Sequence, residues 1–537
     1  MALETPFSKT PKAQQRVVWD IATALVSLLG AVAVARDEAL EAIVANRSIL
    51  RFLFVLAANE ATPPDLLDEV LSCLITLSEE NLDFGQVAID DRETRFYDLL
   101  LKFKEGSGSR AVSACGILHN IFESLEWRDG SRGQDGACDA ILIPSLTRVL
   151  GQTSLSPHPA NGNHGSSPSE VLQLALEILA SMGTDLQTSM EQATHPKDSG
   201  RTEGEEWSGF DDDDVDAMDE DEGADEMEDG ESADGDDDEE MDQDEMEADM
   251  EMVTGADHGD SEGSDLDDLP TLRELIQKAV PQAIKWSQIP LDSDESIAVQ
   301  GHALSTLNNI AWTMSAFEFA DGRNAAIYRL WAPAAKKVWT NTVAPILASD
   351  TADVSLATQV TSLAWAIARS LGGNTPLTGD EHRKFITLYQ ASKNLDRGSA
   401  SGAGEASDAA EDPFQGLGVK CIGVLGQLAR DPAPVTLNRE IGVFLITVLT
   451  GLPETPGADV VEAVNELIDM YADENFQCDK EVFWKDNFIK HLEEILPKVK
   501  AMSKAIDKRR FGELRARADD AALNLGGFIT YKRKHAP

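Results

Sequence analysis

Apolar residues recur at spacings of three and four along nearly every ordered stretch of this 537-residue chain, and no stretch alternates convincingly with period two. The first spacing places apolar side chains on one face of an α-helix, whereas alternation is typical of strands. Gly- and Pro-rich stops follow at short intervals, for example at residues 61–64, 372–376 and 431–434. The pattern therefore predicts an all-α protein with helices of about ten to twenty residues.

A short signature recurs within these helices: Leu-x-x-Leu or Leu-x-x-Ile, usually followed by a small residue. It occurs at residues 74–77, 118–121, 176–180, 307–311 and 425–429, and residues 365–369 fit the same series. The first three copies begin 44 and 58 residues apart. These intervals suit armadillo or HEAT units of about 40 to 47 residues with loop insertions. The chain is therefore predicted to form an armadillo/HEAT-repeat superhelical solenoid.

Three insertions interrupt the predicted array. Residues 151–170 and 397–413 are rich in small and polar residues and should be flexible loops. The largest insertion divides the chain into N-terminal armadillo-like repeats (1–190), a disordered acidic loop (191–269) and C-terminal HEAT-like repeats (270–537). A solenoid tolerates such a loop because the cost of closing it rises only logarithmically with its length.

The formal net charge of −50 is concentrated in one place. Residues 203–268, called the acidic segment below, contain 35 Asp and Glu and no Lys or Arg, which leaves −15 for the rest of the chain (−50 + 35). Such charge density prevents collapse, so the segment should remain extended and solvated. It is either a loop that only keeps the protein in solution or a binding site for a strongly basic ligand.

Anchoring side chains within the acidic segment favour binding. Trp207 and Phe210 are its only aromatic residues, and it contains six of the chain's 12 methionines. Anchors among carboxylates suit a basic protein with apolar pockets, such as a histone or a ribosomal protein. The predicted contact residues are Trp207, Phe210, Asp211, Asp212, Asp213, Asp214, Asp236, Asp237, Asp238, Glu239 and Glu240.

A second candidate surface is the groove of the solenoid. Asn120 and Asn309 follow the signature leucine at the position where armadillo repeats pair an asparagine amide with the backbone of an extended peptide. Trp312 and Trp365 are candidates for aromatic walls of this groove. The alternative is that the asparagines bond within the helix turn and that the tryptophans pack in the core.

Catalytic motifs are absent from the sequence. There is no His-Glu-x-x-His, no phosphate-binding Gly-x-x-x-x-Gly-Lys-Ser/Thr, no Gly-x-Ser-x-Gly and no Cys-x-x-Cys. The five scattered cysteines predict free thiols buried in the core. His119 is more typical of a histidine whose hydrogen bonds are satisfied within the protein, or of one that faces the groove, than of a metal ligand. No enzyme, cofactor, metal, direct nucleic-acid or membrane function is predicted. The apolar run at residues 21–35 is short for a bilayer span and predicts a buried helix.

Several passages carry a specific resemblance to a known family. They are TPFSKTPKAQQRVVWDI, ARDEALEAIV, ACGILHNIFESLEW, DGACDAILIPSLTR, LALEILASMGTDLQTS, EEWSGF before the acidic run, DLPTLRELIQKAVPQ and ALSTLNNIAWT. Together they resemble the fungal symportin family, which is related to HEAT-repeat-containing protein 3. The resemblance covers almost the whole chain.

This resemblance implies a carrier that imports two large-subunit ribosomal proteins together, those that accompany 5S ribosomal RNA. In the family, the groove holds an N-terminal segment of one ribosomal protein and the acidic loop covers the RNA-binding surface of the other. A transportin-type receptor recognises a Pro-Tyr signal in a basic N-terminal arm. The implied location is shuttling between cytoplasm and nucleus, and the competing interpretations are an acidic histone chaperone and a helical-repeat scaffold.

The sequence departs from the family pattern at its ends. It contains no Pro-Tyr dipeptide and no basic arm, so the receptor signal and first repeats are expected to be absent, through a truncated gene model or a real short form. The outward apolar face of the first helices, including Val17, Ile21 and Leu28, should then be partly exposed and should promote self-association. Residues 531–535 are basic; they are interpreted as a solvated tail in preference to a weak substitute import signal.

Overall fold

The computed structural model describes residues 10–155, 166–194, 268–319, 322, 324–349, 353–399 and 412–536. All regular elements in these ranges are helical, and the only extended pairing is one isolated bridge between Arg128 and Ser131. The all-α prediction is confirmed. The α-helices are α1 (Lys12–Ala35), α2 (Asp37–Ala45), α3 (Arg47–Ala58), α4 (Pro64–Ser78), α5 (Leu82–Asp90), α6 (Phe96–Lys104), α7 (Gly108–Ser124), α8 (Ile143–Gln152), α9 (Pro168–Thr194), α10 (Pro270–Glu274), α11 (Val280–Ser287), α12 (Asp294–Ser315), α13 (Ala325–Val338), α14 (Ala344–Ala348), α15 (Val354–Leu371), α16 (Glu381–Ser399), α17 (Leu417–Leu428), α18 (Val435–Thr450), α19 (Gly457–Tyr471), α20 (Phe488–Ala505) and α21 (Gly512–Lys534).

Short π-helical turns join some of these helices, at Leu275–Ala279, Trp339–Val343 and Asp479–Trp484. Helix α9 continues to Thr194 and α16 to Ser399, a few residues into the segments 191–269 and 397–413. The described helices up to Thr188 and from Pro270 onward pack into one compact unit. Repeats on both sides of the acidic segment therefore share one body.

Local sequence explains where the helices begin and end. Asn46 and Asn81 accept hydrogen bonds from the backbone N–H groups of Ser48 (3.1 Å) and Phe84 (3.0 Å), and so cap α3 and α5. Pro64 is the first residue of α4, a position whose N–H has no partner within the helix, so the N–H that proline lacks is not missed there. Helix α15 stops at Gly372, whose φ of 55° lies in the region that glycine adopts without strain. The stops that the sequence predicts at 61–64 and 372–376 are helix boundaries.

A continuous row of helices runs through the unit, in the order α1, α4, α7, α9, α12, α15, α17, α19 and α21, each contacting the next. The remaining helices, such as α6, α16 and α20, pack against members of this central row. Every copy of the sequence signature lies on a row helix, and its leucine and isoleucine side chains are buried: Leu74, Leu77, Leu118, Ile121, Leu176, Leu179, Leu307, Ile310, Leu425 and Leu428. The signature therefore marks the helix that each repeat contributes to the central row, as a solenoid requires.

Helix α1 begins the described part of the row and is less covered than the sequence predicts. Only Ala22, Val26 and Ala33 are buried, while Val17 and Leu28 are 56% and 59% exposed. The prediction of a buried helix at 21–35 is wrong for most of its residues, because α1 packs mainly against α2 and α4. The expected exposure of its outward face is confirmed. By length and composition α1 is also apolar enough to cross a bilayer, a test that helices of soluble proteins pass as well.

The basic C-terminal residues are part of a packed helix. Lys532 lies in the last turn of α21 with 1% of its surface exposed, and its Nζ donates to Asp479 Oδ1 at 2.8 Å. The neighbouring Arg533 pairs with Glu493. Interpreting residues 531–535 as a solvated tail is therefore wrong for Lys532, which α21 buries against the π-helical turn at 479–484, whereas the other four side chains are exposed.

Candidate functional site

The contact residues predicted in the acidic segment lie outside the described residues: Trp207, Phe210, Asp211, Asp212, Asp213, Asp214, Asp236, Asp237, Asp238, Glu239 and Glu240. The described chain stops at Thr194, the end of α9, and resumes at Asp268, just before α10. On the returning side, the Thr271 N–H donates to Asp129 Oδ2 at 3.0 Å, which fixes the start of α10 to the loop that follows α7.

Asn120 and Asn309 occupy equivalent places in the central row. Asn120 Nδ2 on α7 donates to the Ile75 carbonyl (3.2 Å) and to Ser78 Oγ (2.9 Å), both on α4. Asn309 Nδ2 on α12 likewise donates to a carbonyl and a hydroxyl of α9, at 3.1 and 3.0 Å. Each amide therefore ties its helix to the preceding row helix. Neither amide nitrogen bonds within its own helix turn, which was the alternative expected from the sequence, and both serve repeat stacking.

The side-chain oxygens of Asn120 and Asn309 differ from the nitrogens in their hydrogen bonding. No described residue donates a hydrogen bond to Oδ1 of Asn120 or Asn309, and both side chains are half-buried. An amide oxygen accepts up to two hydrogen bonds. Two acceptors on the row are thus open to the N–H groups of a bound peptide, while the donors hold the row together.

Trp312 and Trp365 lie together on neighbouring row helices. Their rings pack edge to face, with centroids 5.4 Å apart and an interplanar angle of 76°. Trp312 Nε1 donates to Ser362 Oγ at 3.2 Å, and both rings are half-buried. Trp365 also lies directly over Gly423 of α17, where an added Cβ would be 2.3 Å from the ring. The rings therefore pack between repeats and still present part of their surface.

Two glutamates that we did not identify from the sequence lie on α19, which packs against α17; Glu466 is buried and Glu462 is half-buried. Gly426, one turn after Gly423, receives Glu466 of α19, where an added Cβ would be 2.1 Å from Glu466 Oε2. Gln427 Nε2 donates to both carboxylate oxygens of Glu466, at 3.0 and 3.1 Å. Close packing thus explains these glycines. We call Asn309, Trp312, Trp365, Gln427, Glu462 and Glu466 the inner strip.

Burial perturbs the two glutamates of the inner strip. It raises the pKa of Glu466 well above its usual range, with a further contribution from the charge of Glu462. Burial also raises the pKa of Glu462, to about 7, although Arg369 opposes the change. Burial therefore favours the uncharged form of both carboxyls, and a cation placed beside them would favour the charged form. Their spacing of four residues on α19 was visible in the sequence and would have suggested a shared helix face.

His119 forms a buried charge cluster next to Asn120. Its Nδ1 lies 3.0 Å from Asp139 Oδ1 and its Nε2 lies 3.3 Å from Asp185 Oδ2. Burial alone would lower the pKa of His119, but the two aspartates outweigh it and raise the pKa to about 9. Glu123 is also close enough to complete a three-ligand set with His119 and Asp185. We assign His119 as an ion-pairing residue that joins α7 to α9, since each of its ring nitrogens faces an aspartate.

We expect this cluster to make stability depend on pH. The pKa of His119 is raised above its unfolded value of about 6.5, so its contribution is complete below that pH and is lost as pH rises through about 9. The loss should amount to about 3 kcal/mol. Urea unfolding of the unmodified chain at several pH values should show it, and His119→Gln should remove it.

The exposed His491→Gln variant is the matched control for this measurement. It should keep the pH dependence of the unmodified chain. An equal dependence in the His119→Gln variant would show that other groups cause it.

Comparison with known proteins identifies relatives of this chain. Residues 406–536 match the family described as "SYO1-like, TPR repeats". Symportin 1 of Chaetomium thermophilum is 55% identical over 543 residues, covering 99% of this chain and 79% of that protein. Two shorter similarities cover 21% of this chain: 35% identity to "Armadillo repeat protein involved in nucleocytoplasmic transport Syo2" of Schizosaccharomyces pombe, and 32% to "Synchronized import protein 1" of Saccharomyces cerevisiae. They cover 17% and 18% of those two proteins. Its near-complete similarity to Symportin 1 and its helical-repeat fold show that the chain belongs to the symportin family.

Proposed function

We propose that this protein is a non-enzymatic chaperone and nuclear import adaptor for the large-subunit ribosomal proteins associated with 5S rRNA. The observation that carries the proposal is the inner strip, which combines an amide acceptor without a partner among the described residues, two aromatic rings, and the half-buried Glu462 beside the buried Glu466 on a helical row. This combination suits a basic peptide segment. The names of two relatives, which refer to nucleocytoplasmic transport and import, support the assignment to transport.

The inner strip is proposed to bind an extended segment of one cargo. Backbone N–H groups of the segment bond to Asn309 Oδ1 and, farther along the row, to Asn120 Oδ1. Its apolar side chains contact Trp312 and Trp365, and a Lys or Arg side chain approaches Glu462. Backbone pairing supplies affinity, and the side-chain contacts supply selectivity.

The acidic segment is proposed to bind the other cargo. Its 35 carboxylates suit the RNA-binding surface of a ribosomal protein, and Trp207 and Phe210 provide anchors for apolar pockets. Covering that surface keeps a basic protein from binding nucleic acid before it is delivered. A transportin-type receptor and shuttling between cytoplasm and nucleus complete the proposed role in ribosome biogenesis.

Two substitutions of Asn309 test the peptide-binding role of the inner strip. Both Asn309→Ala and Asn309→Asp remove the donor to α9, so each should lower stability by about 1 kcal/mol. Only Asn309→Asp keeps an acceptor oxygen. We therefore expect the Ala variant to lose the peptide-bound cargo in pull-downs and the Asp variant to retain it.

The cargo of the acidic segment serves as the internal control for these pull-downs. It should bind both Asn309 variants equally well. Loss of both cargoes in both variants would mean that Asn309 only stabilises the stacking of repeats. Retention of both cargoes by both variants would reject the proposed backbone pairing.

A further inference from the structure

Five cations gather at one corner of the repeat unit, where α20 ends and α21 begins. They are Lys500, Lys504, Lys508, Arg509 and Arg510, here called the basic corner, and all five are exposed. In the described part of the chain, none of these side chains forms a salt bridge or a hydrogen bond with a carboxylate. This is unusual in a protein with a net charge of −50.

Carboxylates near the basic corner already have other partners. Asp507 accepts a hydrogen bond from the backbone N–H of Arg509 at 2.9 Å. Glu513 pairs with Arg517 at 2.7 Å, and Asp519 pairs with Arg515 at 2.8 Å. Burial alone would raise the pKa of Asp519, but the hydrogen bonds from Ser503 and Arg515 outweigh it and lower the pKa, to which Lys508 contributes weakly. None of the five cations is held in a close ion pair among the described residues.

The placement of three of these cations is electrostatically unfavourable. Lys508, Arg509 and Arg510 directly precede α21, whose N-terminus carries a partial positive charge. The N-cap residue Phe511 provides no side-chain hydrogen bond to the first turn of that helix, and Glu513 in this turn offsets the charge only in part. Lys504 differs, because it lies in the last turn of α20, where the helix dipole favours a cation.

We propose that the basic corner is a docking site for an acidic polypeptide segment of a partner protein. Glutamate and aspartate side chains of the partner pair with the cations and approach the N-terminus of α21. This partner is opposite in charge to the basic cargo proposed for the inner strip and the acidic segment. The basic corner therefore adds a separate interaction surface to the protein and does not depend on the proposed function.

The surroundings favour a polypeptide over a nucleic acid. Proteins that bind single strands combine cations with exposed aromatic rings on which bases stack. The aromatic residue that adjoins the basic corner is Phe511, and Arg510 already covers its ring with its guanidinium carbon 5.1 Å from the centroid. Carboxylates need no such platform. They require only the charges and N–H groups that the basic corner offers.

Binding of a fluorescently labelled oligoglutamate peptide tests the proposal. It is measured at low ionic strength for the full chain and for a variant lacking residues 203–268, since the 35 carboxylates of that segment would compete with the peptide. The test variant combines Lys504→Gln, Lys508→Gln and Arg509→Gln. The control combines Lys336→Gln, Lys337→Gln and Lys384→Gln, three exposed lysines elsewhere with no salt bridge among the described residues.

In the background without the acidic segment, the test variant should bind oligoglutamate about tenfold more weakly, which corresponds to about 1.4 kcal/mol. The affinity of the control variant for oligoglutamate should stay within about twofold of that of the unsubstituted protein, because the control loses the same net charge at another place. Circular dichroism checks that every variant keeps its helical content. Equal affinity of test and control variants would overturn the proposal. So would tighter binding of a single-stranded RNA that the test variant alone loses, which would assign the basic corner to nucleic acid.

Discussion

Replacing Lys532 with alanine should lower the free energy of unfolding by about 3 to 5 kcal/mol, because it leaves the carboxylate of Asp479 buried without a cation. Both side chains are almost fully buried, at 1% and 2% exposure. Asp479 Oδ2 also accepts a hydrogen bond from Trp484 Nε1 at 3.2 Å, which fixes its orientation. The Lys532 Nζ lies 5.5 Å from the ring centroid of Phe483, so the pair is enclosed by aromatic surface.

Two variants separate the buried pair from a general effect of charge at this end. Lys534→Ala removes an exposed lysine of the same helical turn and should change stability by no more than about 0.5 kcal/mol. Lys532→Met combined with Asp479→Leu removes both charges and should cost less than Lys532→Ala alone. Urea unfolding monitored by circular dichroism measures all three. Similar effects for Lys532→Ala and Lys534→Ala would contradict the assignment of a buried ion pair.

Removing nine of the 35 carboxylates of the acidic segment should weaken binding of its basic cargo by about a hundredfold or more. Each exposed ion pair contributes only about 0.2 to 1 kcal/mol, so the affinity is the sum of many small terms. The test replaces Asp211, Asp212, Asp213, Asp214, Asp236, Asp237, Asp238, Glu239 and Glu240 with the corresponding amides, which keeps the length of the segment. The cargo bound at the inner strip should be retained by this variant.

Salt provides an independent measurement of the same interaction. Raising the ionic strength from 0.01 to 1 M shortens the Debye length from about 30 to about 3 Å, so the affinity of the unmodified chain should fall steeply. The amide variant should show a much flatter dependence. Binding by the unmodified chain that is unaffected by salt would mean that Trp207, Phe210 or other apolar contacts dominate.

The sequence predicted the features that depend on local periodicity. The signature leucines at 74, 118, 176, 307 and 425 all lie buried on the central row, because a 3.6-residue period fixes which face of a helix is apolar. Gly423 and Gly426 could likewise be assigned to close helix packing. Repeats make such predictions reliable, since each unit contacts mainly its neighbours.

Features that depend on distant partners could not be predicted in this way. Lys532 looks like one cation in a basic tail, and its partner Asp479 is 53 residues away along the chain. Asn309 was identified as a site residue, but its bonds to α9 bridge 125 and 129 residues and became visible only in the structure. Exposure of α1 is similar, because it depends on which helices pack beside it and not on its own composition.

Identification of the proteins that copurify with the tagged full chain is the decisive test of the proposed adaptor function. The chain should recover the large-subunit ribosomal proteins of the 5S particle, and the amide variant of the acidic segment and Asn309→Ala should each remove a different one of them. Mass spectrometry with quantified recovery provides this result in one experiment. Recovery of histones instead, or of the same proteins in equal amounts with every variant, would contradict the proposed adaptor function.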